Sequence, residues 1–295
     1  MARPRRSILG LARLIVIDHW GATFGGAILA AVVLAAVLAE WLAPSNPIVQ
    51  NLGNRLAEPS WLSGGSSGHL LGTDQLGRDV LSRLIWGARV SLSVGVAAVL
   101  IAGASGIVLG LVSGYYGGLW DHVIMRLADI RLAFPFVMLA LLVVAAFGPG
   151  IEGILVVLGG TGWVVYARLV RGEVLSLRER EFVLASRAIG AGAPRIMRLH
   201  ILPNVMTPVI VVASLQLAEM IVAEAALSFL GLGVRAPEPS WGSMLADGRT
   251  YIARAWWLAT FPGIAISLTV LAANTLGDWV RDQMDPRMRG RTPTV

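Results

Sequence analysis

Long stretches without charged side chains dominate this chain. The clearest runs from Ser91 to Tyr116 and contains no Asp, Glu, Lys or Arg. Another runs from Trp20 to Leu42 and is interrupted only by Glu40 near its end. At about 1.5 Å per residue, each is long enough to cross the roughly 30 Å of hydrocarbon in a bilayer as a helix. Lipid offers no partner for unpaired backbone groups, so such segments favour a bundle of membrane-spanning helices.

Composition supports the same fold class. Only 14% of the residues are charged and 56% are hydrophobic, whereas soluble domains carry about 25% charged residues. We therefore predict an all-α integral membrane protein with six transmembrane helices, the last five forming a core over 91–281. The first run is too long for a signal peptide, so we interpret it as an uncleaved anchor. The predicted spans are 20–42, 91–116, 132–151, 153–170, 202–234 and 255–277, and the uncharged part of 153–170 is the shortest.

The arginines predict which side of the membrane each loop occupies. Lys and Arg together number 24, and every one of them is arginine. Most of them, including Arg126 and Arg131, fall on the side of the amino terminus, and cytoplasmic loops are enriched in basic residues. We therefore predict cytoplasmic tails at 1–19 and 282–295 and an external loop at 43–90 that contains an interfacial helix. The external side holds only Arg55, Arg78, Arg83, Arg89, Arg235, Arg249 and Arg254.

Several catalytic chemistries lack the residues they need. Without lysine the chain cannot supply a standard P-loop, whose Lys reaches the phosphates of ATP. It has no cysteine, and therefore no disulfide, thiolate metal site or catalytic thiol. The histidines form no H-E-x-x-H pair, and none is predicted at mid-membrane, which disfavours an intramembrane enzyme. We expect no catalytic residue, metal or cofactor on this chain.

A charged segment at 177–204, which we call the elbow, lies between two hydrophobic stretches. Ser176 and Glu179 have the spacing of a capping box and predict a helix that starts near Leu177. The glycines of the Gly190–Ala193 stretch predict a sharp turn, and Pro194 suits the first turn of a second helix. Pro203 is expected to interrupt or kink that helix. Taken alone, the elbow is consistent with a solvated basic hairpin without a partner.

The elbow resembles the EAA loop of binding-protein-dependent ABC transporter permeases. Leu184-Ala185-Ser186 aligns with its E-A-A, Gly190 with its glycine, and His200-Ile201-Leu202-Pro203 with its Ile-x-Leu-Pro. The resemblance implies that this coupling-helix elbow docks into a groove on an ATP-hydrolysing subunit. The docking residues it implies are Glu181, Phe182, Ala185, Ser186, Arg187, Gly190, Ala191, Arg195, Leu202 and Pro203.

A second motif lies in the predicted external loop. It contains Gly72, Thr73, Asp74, Gly77, Arg78 and Asp79, followed by S-R-x-x-x-G-x-R-x-S-L. On its own it reads as a turn and an interfacial helix that leads into the next span. It is similar to the second permease of dipeptide, oligopeptide and nickel importers, and so implies a type I ABC importer permease.

That resemblance also implies a function and partners. The chain would form half of a pathway for dipeptides or oligopeptides in a bacterial inner membrane, paired with a homologous but distinct permease. Two separate ATPase subunits would hold ATP and Mg, and an extracytoplasmic protein would bind the substrate; no nucleic acid is expected. Nickel chelates, glutathione or another small solute remain alternative substrates. A stand-alone secondary transporter is the remote alternative, since no inverted repeat is visible.

Two acids lie deep in the predicted fifth span. Charges at membrane depth are functional candidates by default, so Glu219 and Glu224 are candidate pathway or gate residues. The alternative is that each meets a polar group on a neighbouring helix. The stretch from Glu224 to Gly233 also matches the E-A-x-L-S-F-L-G-L-G pattern that is frequent in this family's fifth span.

Overall fold

The computed structural model describes residues 20–65 and 67–284, which form helices joined by loops. The predicted tail at 1–19 and residues 285–295 of the other predicted tail lie outside the described residues. In chain order the helices are α1 (Trp20–Val37), α2 (Ala39–Leu42), α3 (Val80–Tyr116), α4 (Gly118–Ala133), α5 (Phe136–Phe147), α6 (Ile151–Leu177), α7 (Glu181–Ala188), α8 (Ala193–Ile196), α9 (Leu202–Phe229), α10 (Trp241–Arg249) and α11 (Trp257–Met284).

The described residues contain five helical segments that are long and apolar enough to cross a membrane. These are α1, α3, α6, α11 and the continuous stretch Ala193–Phe229, in which a π-helical segment, Met197–Ile201, joins α8 to α9. Helices α4 and α5 make a sixth span if this pair, bent by 95°, is counted as one. The fold is therefore an all-α membrane bundle, as the sequence predicted.

Helices α4 and α5 replace the continuous helix that was predicted over 132–151. Helix α4 already starts at Gly118, well before the predicted span begins, and it ends at Ala133. Phe134 is extended, with φ −89° and ψ 127°. Proline disfavours the helical conformation of the residue before it, so Pro135 explains why the chain leaves α4 at this point. The helix resumes as α5 at Phe136.

Other helix bounds also differ from the predicted spans. Helix α3 begins at Val80, so the interfacial helix of the external loop and the second span form one continuous helix. Its first turn is capped by Asp79, whose carboxylate accepts a hydrogen bond from the Ser82 N–H. Helix α11 continues to Met284, beyond the predicted end at 277. The predicted outer loop at 235–254 contains a short helix, α10, capped by Ser240.

Helix α6 contains the predicted fourth span, 153–170, and extends beyond its short uncharged part. It continues to Leu177, and arginines in this extension have acidic partners on α4. Arg171 contacts Asp121 through Nε at 2.5 Å and Nη2 at 2.7 Å, and Arg168 Nη2 lies 2.6 Å from an Asp129 carboxylate oxygen. Paired in this way, charged residues are compatible with a helix that runs on past its hydrophobic part.

Glycines on α3 allow it to pack closely against α6. Gly106, Gly110 and Gly114 recur every fourth residue and therefore share one helix face. A Cβ at Gly110 would lie 2.7 Å from both the Ala167 carbonyl oxygen and the Val170 Cβ, so no larger residue fits. Small residues at this spacing allow close approach of membrane helices. This stripe fixes α3 against the helix that carries the elbow.

Candidate functional site

The elbow consists of two helical pieces joined by a tight turn. Helix α7 starts at Glu181, and Arg180 precedes it without a side-chain cap. The predicted capping box is therefore wrong: Ser176 lies in the last turn of α6, and the Glu179 carboxylate instead contacts Arg178 Nε at 3.1 Å. The hydrogen-bonded α6 helix runs through Leu177 and leaves no room for a new helix start there.

The sharp turn that the sequence predicted is present, and it places a glycine at positive φ. Gly190 has φ +83°, a region that glycine enters without steric cost. Two backbone N–H groups of the turn form hydrogen bonds: Gly190 donates to the Arg187 carbonyl and Ala191 donates to the Ser186 carbonyl. Pro194 then falls in the first turn of α8, as predicted.

Pro203 acts at the junction of the elbow with α9. It lies in the first turn of α9, directly after the π-helical segment Met197–Ile201. Proline has no N–H to donate and its ring crowds the carbonyl four residues earlier, so the helix widens instead of closing normal bonds. The helix is interrupted locally and continues, and Asn204 Nδ2 donates to the His200 carbonyl at 2.6 Å.

The inner face of the elbow is fixed to the bundle by apolar packing. Val183, Ile196 and Ile201 are fully buried. They pack in one cluster with Tyr166 and with valines of α6. The spacing of hydrophobic residues in a short amphipathic helix is the signal that could have identified these anchors. The inner face of the elbow is thereby packed against α6 and α9.

Polar contacts hold the same face. The Ser186 hydroxyl donates to the Phe182 carbonyl at 2.8 Å and lies 3.3 Å from His200 Nε2. The Arg187 guanidinium lies 5.1 Å from the centre of the Tyr115 ring at the end of α3, within the range of a cation–π contact. Ser186 and Arg187, which the sequence placed on the docking surface, therefore also attach the elbow to the rest of the chain.

The outer face of the elbow exposes apolar side chains, and we call it the docking face. Phe182 and Leu184 are 44% and 46% exposed, and Ile189 is 85% exposed. Exposed apolar side chains grouped among charged residues are typical of a protein contact. Of the predicted docking residues, Ser186 is buried and Ala191 and Leu202 are half-buried; the exposed ones are Glu181, Phe182, Ala185, Arg187, Gly190, Arg195 and Pro203. Their contact with an ATPase stays a prediction.

The motif from Gly72 to Asp79 contributes to a largely buried ionic network. Asp74 accepts hydrogen bonds from the backbone N–H groups of Leu76 and Arg78, and its other oxygen lies 2.6 Å from Arg78 Nε. Arg83 Nε lies 3.5 Å from the same carboxylate. Asp247, on α10, lies 3.5 Å from Arg78 and 3.6 Å from Arg83. Sequence reasoning missed Asp247, because it is distant along the chain.

The remaining motif residues fix the turn before α3. Gly72 and Gly77 have φ values of +80° and +73°. The Thr73 hydroxyl donates to the Asn54 carbonyl and accepts from the Ala57 N–H. Asp79 caps α3 through Ser82 and also lies 3.0 Å from His69 Nδ1. Buried charges are costly unless they are paired, and these contacts pair the buried charges of the motif in the turn before α3.

Glu224 is fully buried where α9 meets α3 and the start of α10. The Ser91 hydroxyl donates to one carboxylate oxygen at 2.9 Å, and the Ser228 hydroxyl donates to the other at 2.7 Å. Ser91 Oγ in turn accepts from the Trp241 N–H at 3.3 Å. This is the polar contact that the alternative interpretation described. A role of the Glu224 charge in the pathway stays a prediction.

Glu219 is placed differently from Glu224. It is exposed on the central part of α9 and lines a cavity of about 420 Å³ between α4, α5, α6 and α9. Arg131, at the end of α4, and Gln216 line the same cavity. The arginine count had assigned Arg131 to a cytoplasmic loop, because the extent of α4 could not be read from the sequence. Gln216 gave no sequence signal, since it is an uncharged residue within a span.

Comparisons with known proteins agree with this architecture. Residues 106–290 match the family model for binding-protein-dependent transport system inner membrane components, and 7–59 match the N-terminal transmembrane domain of oligopeptide transport permease C. The chain is similar in fold to a chain of the MetNI methionine ABC transporter, solved in inward-facing conformations. The TM-score is 0.54 at 18% identity, over 69% of this chain and 96% of that one.

Two relatives extend the match over most of the sequence. The di/tripeptide transport system permease protein DppC of Pseudomonas aeruginosa is 46% identical over 91% of this chain and 89% of its own length. The dipeptide transport system permease protein DppC of Escherichia coli K12 is 49% identical over 91% of this chain and 90% of its own. The chain therefore belongs to the family of binding-protein-dependent transport system inner membrane components.

Proposed function

We propose that this chain is one of the transmembrane subunits of an ATP-driven importer of small peptides. The observation that carries the proposal is its identity of 46% and 49%, over 91% of the chain, with permeases named for di/tripeptide and dipeptide transport. Nickel chelates and other small solutes are less well supported, because both of these relatives are named for peptides.

The proposed importer contains further subunits. This chain pairs with a homologous but distinct permease, and two ATPase subunits bind ATP and Mg. An extracytoplasmic protein delivers the peptide. The absence of lysine from the sequence supports separate ATPases, since a standard P-loop needs that residue. On this proposal the chain is not itself an enzyme and binds no cofactor.

The proposed orientation follows from the arginines. Both termini and the elbow face the cytoplasm, and the buried network around Asp74 faces outward. The enrichment of arginine on the elbow side supports this arrangement. The elbow then lies where soluble ATPases reach it, and the outer end of the bundle lies where a delivering protein docks.

The proposed coupling step uses the docking face. Closure of the ATPases on ATP moves the elbow, and the pathway changes from inward-open to outward-open; hydrolysis resets it. Two features support this step. Phe182, Leu184 and Ile189 offer an exposed apolar surface, and Val183, Ile196 and Ile201 tie that surface to α6 and α9.

Uptake measurements test the substrate. In a strain that lacks other peptide importers, deletion of the gene for this chain should abolish uptake of a labelled dipeptide, and a plasmid copy should restore it. Uptake of labelled nickel in the same cells serves as the comparison. Unchanged dipeptide uptake together with lost nickel uptake would overturn the peptide assignment.

A further inference from the structure

The cavity next to Glu219 combines opposite charges between α4, α5, α6 and α9. Arg131 and Glu219 both line it and lie within electrostatic range of each other. Within residues 20–65 and 67–284, however, neither side chain forms an ion pair or a hydrogen bond. Charges inside a membrane protein are costly unless they pair or serve a pathway. A cation and an anion that share a cavity without pairing are therefore available to a third group.

A buried amide adds a third polar group. Gln216 is only 5% exposed and lines the cavity, and its Oε1 atom has no hydrogen-bond partner among the described residues. Leaving a buried acceptor without a donor costs about 1–3 kcal/mol. The cavity thus presents a cation, an anion and a free carbonyl acceptor, on walls that are otherwise largely apolar.

We propose that this cavity is a transit subsite for zwitterionic di- and tripeptides, with Arg131 contacting the peptide carboxylate and Glu219 its ammonium group. Gln216 Oε1 accepts a hydrogen bond from a peptide N–H. The proposal rests on the proposed peptide-import function and adds where, and through which atoms, the peptide contacts this chain.

The dimensions and chemistry of the cavity fit such a ligand. Its volume of about 420 Å³ lies in the range of about 300–1,000 Å³ that is typical of small-molecule sites. Two extended residues span at most about 7 Å, which is about the cube root of that volume, so a dipeptide has the right size for the cavity. The contacts are few, as a pathway requires, because a peptide held by many contacts would leave slowly.

The competing explanation is that side chains of the second permease pair with Arg131 and Glu219 in the assembled importer. In that case the charges would matter for assembly and would not respond to peptide. A direct measurement of peptide at the cavity separates the two explanations.

The chain contains no cysteine, so one introduced cysteine reports on this cavity alone when the partner subunits are used in cysteine-free form. Thr161 lines the cavity, and Thr161→Cys places a thiol of similar size there. In the purified complete importer, we expect alanyl-alanine to slow labelling of this thiol by a soluble thiosulfonate reagent. N-acetyl-alanyl-alanine amide, which lacks both charges, should protect much less.

Neutral variants then assign the contacts. Arg131→Gln and Glu219→Gln should each raise the alanyl-alanine concentration for half-protection by about tenfold or more, the loss expected for a charge-assisted contact. Arg126→Gln, on the same helix but outside the cavity, and Glu173→Gln, on α6, are the matched controls and should leave that concentration unchanged. Arg131→Lys and Glu219→Asp keep the charge and should retain protection.

The outcomes separate this inference from the proposed function. Dipeptide uptake by the unsubstituted importer, without protection of the cavity thiol, would overturn the subsite and leave the peptide importer standing. Equal protection by the capped peptide, or neutral variants that lower only the yield of complex, would also overturn it. Failure of the unsubstituted importer to take up any dipeptide would instead reject the proposed function.

Discussion

Gly190 offers the sharpest test of the elbow. Its φ of +83° suits glycine, and a Cβ built there would meet nothing within 4 Å. Substitution is therefore opposed by backbone strain alone and not by a clash. A β-branched residue held in this region costs about 1–3 kcal/mol. The strain can be relieved by opening the last turn of α7, where the Gly190 N–H donates to the Arg187 carbonyl.

Relief of the strain would move the docking face. Ile189 directly precedes the glycine and is 85% exposed, so it shifts first when that turn opens. The anchors Val183 and Ile196 stay buried in the bundle. We therefore expect Gly190→Val to leave the membrane protein folded and to weaken its association with the ATPases by about 5- to 150-fold, the equivalent of that strain.

Retention of the ATPases during purification through a tag on this chain, with peptide transported per ATP, measures the effect. Gly190→Asn should be much milder, because asparagine tolerates positive φ better than valine. Gly172→Val is the matched control: this glycine is also in open space but has ordinary helical φ in α6. Full retention and unchanged coupling in Gly190→Val would refute the reasoning.

Three further predictions concern the bundle. Glu224→Gln should keep the complex assembled, because an amide can still bond to the serines around it, and should lower transport if the charge serves the pathway; unchanged transport by the assembled variant would leave the carboxylate only its packing role. Glu224→Ala should lower the amount of assembled complex. Gly110→Leu should abolish stable insertion, measured as membrane-extracted protein, while Gly160→Leu, in open space, should not; equal yields would contradict the packing argument. A cysteine at Ser67 should react with an impermeant reagent outside intact cells and one at Ala188 only after permeabilisation; the reverse pattern would invert the proposed orientation.

The sequence predicted the fold class well because hydrophobic length is a strong local signal. It also predicted the Gly190 turn, because a glycine with its neighbours determines backbone conformation locally. The ends of the helices were predicted less well from the sequence. Helix α4, whose length was missed, contacts α6 through ion pairs of Asp121 and Asp129 with arginines far along the chain. Such pairs are formed by tertiary packing, which local patterns do not contain.

The same reason separates Glu219 from Glu224. Both are acids in one predicted span, five positions apart, and the sequence gives no basis for ranking them. Packing divides them: Glu224 faces Ser91 and Ser228 inside the bundle, whereas Glu219 faces a cavity. The sequence pattern alone therefore suggests the same role for both acids. Only their contacts in the folded chain distinguish them.

Helix α6 connects the two regions to which we assign function. Its carboxyl-terminal half, from Tyr166 to Val174, packs against the buried face of the elbow. Thr161, little more than one turn earlier, lines the cavity with Glu219. The glycine stripe of α3 holds this helix closely along its length, so it has little freedom to bend between the two regions. We therefore infer that a displacement of the elbow reaches the cavity as a movement of α6 as a unit, together with α9, which also contacts both regions.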